Sequence, residues 1–228
     1  MLIKHCLLFL IVFQFSHIIA SVSPEELLIK VRSKTRLVKD FQAEADIKID
    51  IDFLKAPVSH ATIYYRSPGQ VRIKSDGFSM LPKQGAGLPI SSILETEYSA
   101  AALKDEMYNG KNLRVIKVIP LADTGQIIAS TMWIEEATNI VHKMKITTKS
   151  GIMLMEMKYG KQYLQYALPE QVVLSFDMPK FSLPKSITGD MLTDNKPKDA
   201  SKKNAVGKAT ITYSKYIINK GIADSHFK

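Results

Sequence analysis

Few side chains of this sequence have the types and spacing that acid–base, nucleophilic or metal chemistry requires. Beyond the first twenty residues the histidines are His60, His142 and His226, and no two lie at the spacing of zinc ligands. Ser79 lies in a segment without the second glycine of a nucleophile elbow. No glycine-rich phosphate loop precedes a predicted helix. We therefore predict a binding protein rather than an enzyme, with no catalytic residue, no metal site and no cofactor.

Acidic residues are grouped at two places. Asp46, Asp50 and Asp52 alternate with apolar residues, and Glu135 is followed directly by Glu136. A calcium loop needs a glycine turn among its acidic ligands, and no glycine lies between these aspartates. The two glutamates fall at a predicted hairpin end, where solvated turn residues are common. Neither group is predicted to bind a metal.

Flexible apolar side chains are the functional groups that this chain has in number. It contains 10 methionines, and Met153, Met155 and Met157 share one face of a predicted strand. The methionine side chain is flexible and polarizable, so it adapts to irregular apolar ligands. Ordinary core packing explains the same pattern. A methionine-lined cavity and a methionine-rich core are both open at this point.

The elements that position these side chains are predicted to be antiparallel strands. Residues 43–53 alternate between apolar and charged types, which is typical of a long strand with one buried face. Asn109-Gly110 is a dipeptide favoured in two-residue hairpins. Short turns without intervening helices indicate an antiparallel meander. Further strands are predicted at 61–66, 71–74, 106–108, 113–119, 127–135, 140–149, 152–159, 171–177 and 206–216.

Two helices are predicted to cover the sheet. Ser23 followed by Pro24 and two acids is typical of a helix start, and the helix is predicted over 24–39. A second helix is predicted over 91–104, and long loops over 78–89 and 178–205. The first helix presents an apolar stripe formed by Leu27, Leu28, Val31 and Leu37.

Two helices cover only part of the apolar face of so long a sheet. A curled sheet of this kind retains an apolar hollow beneath the helices. Each methylene of an acyl chain buried there contributes about 0.8 kcal/mol, so binding needs no chemistry. An apolar hollow beneath the helices therefore favours a lipid ligand.

The first twenty residues have the composition of a secretory signal peptide. Lys4 and His5 precede an apolar run over 7–15, and Ala20 follows before a polar segment. The run is too short for a membrane-spanning helix, which needs roughly 20 apolar residues. We expect cleavage near Ala20, a periplasmic product and a single domain over 21–228.

Charge and cysteine usage agree with export. The only cysteine, Cys6, lies inside the predicted signal peptide, so the exported chain has no thiol and no disulfide. The formal net charge is +9, which suits anionic headgroups or an acidic partner. Export makes nucleic acid an unsuitable partner. Much of the excess positive charge lies in the lysines of 196–208, where a solvated loop accounts for it.

The order of the elements carries a family resemblance. A signal peptide is followed by a helix that ends in residues 37–43, a long alternating strand, the segment 64–73 with its Ser-Pro-Gly turn, and a hairpin over 133–144. Together these resemble the LolA-like outer-membrane lipoprotein-sorting proteins, the periplasmic lipoprotein carrier superfamily. The resemblance implies an α+β fold, mainly β, in which lid helices cover a half-open antiparallel β-barrel.

The resemblance also implies a function and a set of site residues. The expected protein is a monomeric carrier that takes the acyl chains of lipoproteins or lipids from an inner-membrane exporter to an outer-membrane receptor. In these carriers an arginine directly before the hairpin proline latches the lid. Ser67 occupies that place here, and Arg66, one position earlier, is the candidate latch. The candidate cavity residues are Ile47, Ile49, Ile51, Ile63, Val71, Ile73, Trp133, Met153, Met155 and Met157.

Two other functions of the same fold stay open at the level of sequence. One is an envelope-stress sensor that controls a signalling partner, although such a sensor normally carries a second domain. The other is a non-lipid scaffold whose methionines only fill a core. A hydrolase is disfavoured because the nucleophile constellation is missing.

Overall fold

The computed structural model describes residues 22–51, 54–55, 57–75, 89–121, 127–149, 151–177 and 206–227. The predicted signal peptide over 1–20 and the predicted loop over 178–205 lie outside these residues.

Twelve strands form the described part of the fold. Their bounds agree with the predicted ones to within two residues for most strands, and β6, β8 and β11 have the predicted bounds. The strands are β1 (Asp40–Ile51), β2 (Leu54–Lys55), β3 (Ser59–Arg66), β4 (Gln70–Ser75), β5 (Tyr98–Ala102), β6 (Glu106–Tyr108), β7 (Lys111–Pro120), β8 (Ile127–Glu135), β9 (Ile140–Thr148), β10 (Gly151–Lys158), β11 (Gln171–Asp177) and β12 (Val206–Ile218).

The strands form one antiparallel sheet that does not close on itself. Its order is β4-β3-β1-β12-β11-β10-β9-β8-β7-β5, and the short strands β2 and β6 pair with β1 and β7. Within the described ranges, β4 and β5 are the two ends of this path. The meander and the half-open barrel that the sequence predicts are confirmed.

The first helix, α1, is shorter than predicted. It spans Pro24–Thr35, and the hydroxyl of Ser23 caps it by accepting a hydrogen bond from Glu26 N at 3.1 Å. Leu37 lies beyond the helix with 51% of its surface exposed, whereas the neighbouring Val38 is buried. The chain leaves the helix before Leu37, so its predicted place in the apolar stripe is wrong. The buried side chains of α1 are Leu27, Leu28, Val31 and Thr35.

The second helix, α2, is a six-residue element over Pro89–Leu94, and the predicted extension to residue 104 is wrong. Residues 98–102 instead form β5, which pairs with β7 in the register Ala100↔Val118. Alanine favours helices, but that preference is below 1 kcal/mol per residue and backbone pairing along a free strand edge outweighs it. Neither helix, within the described ranges, is long and apolar enough to cross a bilayer.

The two faces of the sheet differ in character. In β1 the odd-numbered residues from Phe41 to Ile49 are buried, while Glu44, Asp46 and Lys48 are exposed. We call the buried side the inner face and the other side the outer face. The inner face packs with α1 and α2 in one hydrophobic cluster, the main cluster. The alternation predicted for residues 43–49 is therefore confirmed.

Candidate functional site

Strand register aligns apolar side chains of the inner face in a single row. Seven consecutive strands, from β1 through β12 to β7, each contribute one residue, and each of these residues is at most 7% exposed. We call this set the apolar row. Three of its members are methionines, whose flexible side chains suit a surface that repacks around a ligand. The row is Ile49, Ala209, Leu174, Met155, Met144, Met132 and Ile116.

Most of the predicted cavity residues lie on this face. Val71 and Ile73 of β4 are partly buried at the edge of the main cluster. Ile51 ends β1, and its side chain lies outside the described part of the chain. The predicted residues that are buried in the main cluster are Ile47, Ile49, Ile63, Met153, Met155 and Met157.

Trp133 is the exception, and its assignment to the cavity is corrected. Its neighbours Met132 and Ile134 belong to the main cluster, whereas Trp133 lies in a second cluster with residues of β7. Successive side chains of a strand point to opposite faces, so Trp133 lies on the outer face. There its Nε1 donates a hydrogen bond to Glu106 Oε2 at 2.8 Å, and Lys143 Nζ lies 4.6 Å from the ring centroid.

Helix α2 lies close to the turn between β3 and β4. A Cβ atom placed on Gly69 of that turn would lie 3.4 Å from Ser92 Cβ of α2, which is van der Waals contact, so the turn and the helix are direct neighbours. Three residues after α2 the chain enters β5, the strand at the other end of the sheet. The helix therefore links the two ends of the open barrel. Its buried residues are Pro89, Ile90, Ser91, Ile93 and Leu94.

An ion pair joins the end of α1 to the end of α2. Arg36 Nε and Nη2 donate to the carboxylate oxygens of Glu95 at 2.7 and 2.6 Å, and Arg32 Nη1 donates to Leu94 O at 3.4 Å. We call this arrangement the helix clasp. The hydrogen bonds from Arg36 hold the pKa of Glu95 below its ordinary value. The clasp was not predicted, because its charged partners are 59 positions apart and nothing in the local sequence links them.

Arg66 does not latch the helices, and its predicted role is corrected. It extends from the outer face, and its Nη1 donates to Asp224 Oδ1 at 2.7 Å. Its Nη2 donates to Ile222 O, and its guanidinium lies 4.6 Å from the centroid of the Phe227 ring. The neighbouring Tyr65 is fully buried on the inner face. Because strand residues alternate, the one-residue displacement turns Arg66 towards the C-terminal segment.

The same C-terminal turn of α1 is also tied to the hairpin of β8 and β9. Lys34 Nζ donates to Thr138 O at 2.7 Å. In the same turn Glu135 accepts hydrogen bonds from Lys111 Nζ and Thr138 Oγ1, each at 2.9 Å, and lies 2.9 Å from His142 Nε2. Burial raises the pKa of Glu135, but these three partners together outweigh it and bring the pKa to about 2. These contacts hold α1 in place over the inner face.

Aromatic residues cluster near the C-terminal end of β12. A bulge opposite Glu44 and Ala45 of β1 inserts Ser214, so Tyr213 and Tyr216 lie on the same face although they are three residues apart. Their rings stack at 5.1 Å. The hydroxyl of Tyr216 donates to a backbone carbonyl oxygen, Pro169 O, at 2.7 Å. This buried tyrosine is therefore satisfied within the protein.

Three buried hydroxyl groups on the inner side have no such partner. Tyr65 Oη, Ser91 Oγ and Ser130 Oγ make no hydrogen bond with any described residue. Tyr65 is 0% exposed and Ser91 is 3% exposed, which excludes bulk water as a partner. Burial raises the pKa of Tyr65, and the nearby hydroxyls of Ser91 and Ser67 oppose that effect only in part. Polar groups of this kind are rare in folded proteins.

Solved structures contain the same arrangement of a long open sheet and covering helices. A LolA superfamily protein from Nitrosomonas europaea aligns with a TM-score of 0.55 at 11% identity, over 91% of this chain and 98% of that one. This chain has the LolA-like fold. A domain assigned to an outer membrane lipoprotein-sorting protein of Vibrio parahaemolyticus aligns with a TM-score of 0.52 at 14% identity, over 89% of this chain and 94% of that one.

Other comparisons set the limits of this similarity. A DUF1329 family protein from Desulfovibrio piger also aligns with a TM-score of 0.52, at 11% identity over 89% of this chain and 94% of that one. Comparison with protein-family models and with curated protein sequences finds no match. The likeness is therefore one of fold, because the aligned structures share only 11–14% identity with this chain.

Proposed function

We propose that this protein is a periplasmic carrier that binds the acyl chains of a lipid or lipoprotein on its inner face and moves them towards the outer membrane. The apolar row carries this proposal. It extends without a polar interruption across seven strands of an open sheet. Such a surface binds a long hydrocarbon chain without catalysis, and the LolA-like fold supports the same function.

Binding requires movement of α2, because the inner face is already covered. Ile90, Ile93 and Leu94 of this helix are at most 4% exposed within the main cluster. An acyl chain competes with them for the same apolar surface. About ten buried methylenes contribute roughly 8 kcal/mol, which is enough to displace one short helix. The helix therefore opens to admit the chain and closes again over it, with hydrocarbon replacing part of its former contacts with the sheet.

The helix clasp is compatible with movement of α2. It joins α2 to α1 through charged groups on the surface, where Arg36 is 56% exposed and Glu95 is 26% exposed. Exposed ion pairs of this kind are weak, so they orient a helix without holding it permanently. The hydrogen bond from Lys34 to the turn between β8 and β9 keeps α1 attached while α2 moves.

The first test is native mass spectrometry of the exported protein, purified gently from its own envelope. A copurifying lipid or acylated peptide supports the carrier. The protein is then labelled with a lipopeptide whose acyl chain carries a photoreactive diazirine. We expect crosslinks to β9, β10 and β11, whose residues form the centre of the apolar row. Crosslinks confined to outer-face residues would exclude the proposed face.

A matched pair of substitutions in β1 tests the same proposal. Ile49→Glu places a charge in the apolar row, and Lys48→Glu places the same side chain on the exposed outer face next to it. We expect at least a tenfold loss of lipopeptide affinity for Ile49→Glu and no change for Lys48→Glu, by fluorescence titration. Circular dichroism shows whether each variant is folded. Unchanged binding by a folded Ile49→Glu variant contradicts the proposal.

A scaffold with a permanently filled core is the second candidate. The observation that favours it is the near-complete burial of the apolar row in the closed arrangement, with Leu174, Met144 and Met132 each at 0% exposure. A scaffold copurifies without ligand and takes up no added lipopeptide. In that case the crosslinking experiment gives no product, and the methionines serve packing alone.

A further inference from the structure

Two of the unpartnered hydroxyl groups lie where α2 packs on β3. Tyr65 belongs to β3 and is fully buried, and Ser91 belongs to α2 itself. Ser92, the next residue of α2, packs against the turn that follows β3, and the Ser91 hydroxyl is near enough to Tyr65 to lower its pKa by hydrogen bonding, yet neither hydroxyl reaches the full distance and angle of a hydrogen bond. A buried hydroxyl without a partner destabilises a folded protein. Two of them side by side point to an acceptor that enters with a ligand.

Resting on the proposed function, we infer that Tyr65 and Ser91 form a polar subsite that binds the carbonyl oxygen at the head of an acyl chain. A carbonyl oxygen has two lone pairs and accepts two hydrogen bonds. The hydroxyls of Tyr65 and Ser91 supply one each. The ester of a glycerolipid and the amide of an N-acylated peptide both present this acceptor.

The position of the subsite indicates the direction in which a bound acyl chain runs. Tyr65 stacks on Phe41 at 5.0 Å, at the end of β1 opposite to Ile49 of the apolar row. Ser91 lies on the helix that links the two ends of the open barrel. An acyl chain whose carbonyl group is held at α2 extends from there along the inner face towards the apolar row. The subsite thus orients the ligand as well as binding it.

Tyr216 provides a matched control for Tyr65. Both are buried inner-face tyrosines, but the Tyr216 hydroxyl already donates to Pro169 O. Tyr65→Phe removes a group with no partner, so we expect a melting temperature equal to or above that of the wild type. Tyr216→Phe removes a hydrogen bond and leaves a buried acceptor, so we expect a lower melting temperature. An equal decrease for both variants would show that Tyr65 is bonded within the protein and would overturn the inference.

The decisive experiment compares 1-dodecanoylglycerol with 1-O-dodecylglycerol, which differ only in the carbonyl group. Isothermal titration calorimetry of the wild-type protein is expected to show about a tenfold preference for the acyl ligand. The double variant Tyr65→Phe/Ser91→Ala should bind the two ligands equally, and Tyr216→Phe should keep the preference.

The outcomes separate this inference from the proposed function. Equal affinity of the wild type for both ligands refutes the subsite while the acyl-binding carrier stands. The same holds if the double variant keeps the preference for the acyl ligand. If neither ligand binds the folded wild-type protein, the carrier proposal and the subsite are both refuted.

Discussion

At the scale of single residues, Glu135 is the clearest case of a side chain whose charge state the fold controls. It is 20% exposed and contacts Lys111, Thr138 and His142 in the turn that also binds α1. Its pKa of about 2 lies below the ordinary value of 4.5, so the folded state favours the ionised form. A carboxylate in this situation stabilises the protein only while it is charged.

We predict that Glu135→Gln lowers the free energy of unfolding by about 2 kcal/mol at pH 7, after allowance for solvent screening. Because the folded pKa is depressed, the contribution is complete above pH 4.5 and is lost as the pH falls towards 2. The difference between wild type and variant should therefore shrink at pH 3. Urea unfolding at both pH values measures it.

Glu136→Gln is the control for this prediction. Its carboxylate is 41% exposed and contacts Arg114 at 3.1 Å, so we expect a change below 1 kcal/mol. A loss for Glu135→Gln that is the same at pH 7 and pH 3 would show that its charge is not the cause.

At the scale of elements, the helix clasp is the contact whose loss should free α2. We predict that Arg36→Glu, which places two acids together, increases hydrogen exchange of the α2 amides and speeds the entry of a fluorescent fatty acid. The reversed pair Arg36→Glu/Glu95→Arg restores opposite charges and should return both rates towards the wild-type values. Rates that are identical in all three proteins would show that the clasp does not hold the helix.

Strand elements could be predicted from sequence where one face is apolar and the other charged. β1 is of this kind, and its buried face was predicted correctly through Ile49. In β8 the residues Met132, Trp133 and Ile134 are all apolar, so alternation cannot reveal which of them faces inward. Structure resolves this because Met132 pairs with Met144 in the main cluster and Trp133 pairs with Lys143 on the outer face. The error at Trp133 therefore follows from the composition of the strand.

The contacts that complete the candidate site could not be predicted, for a different reason. The clasp and the subsite each join residues from separate elements, and their pairing depends on where α2 lies. Because the alanines of β5 favour a helix locally, the sequence predicted neither the end of α2 nor the strand that follows it. Local preferences of a fraction of a kcal/mol give way to pairing with β7 over five residues.

At the scale of the whole molecule, the C-terminal segment binds across the outer face of β3 and β4. His226 stacks on Tyr64 with ring centroids 4.4 Å apart, and Phe227 lies under the guanidinium of Arg66. We predict that removing residues 222–228 lowers the free energy of unfolding by about 1–2 kcal/mol. Lipid binding should be unaffected, because the segment lies on the side opposite to the apolar row. Thermal unfolding and ligand titration of the truncated protein measure both quantities.

A single substitution separates packing from charge in this segment. Asp224 is 80% exposed, so Asp224→Ala should change the stability by less than about 0.5 kcal/mol even though the ion pair with Arg66 is lost. A loss as large as that of the truncation would assign the stability to the ion pair rather than to the aromatic contacts.

The pairing of β1 with β12 has a consequence for the protein while it is being synthesised. Lys39 and Asn219, which are hydrogen-bonded beside this pair of strands, are 180 positions apart. A polypeptide that emerges amino end first leaves this edge of β1 unpaired until β12 has been synthesised. Unpaired edges with an apolar face are templates for aggregation, and distant pairings form slowly. Until β12 is made, this edge of β1 is therefore able to pair with another unfolded chain.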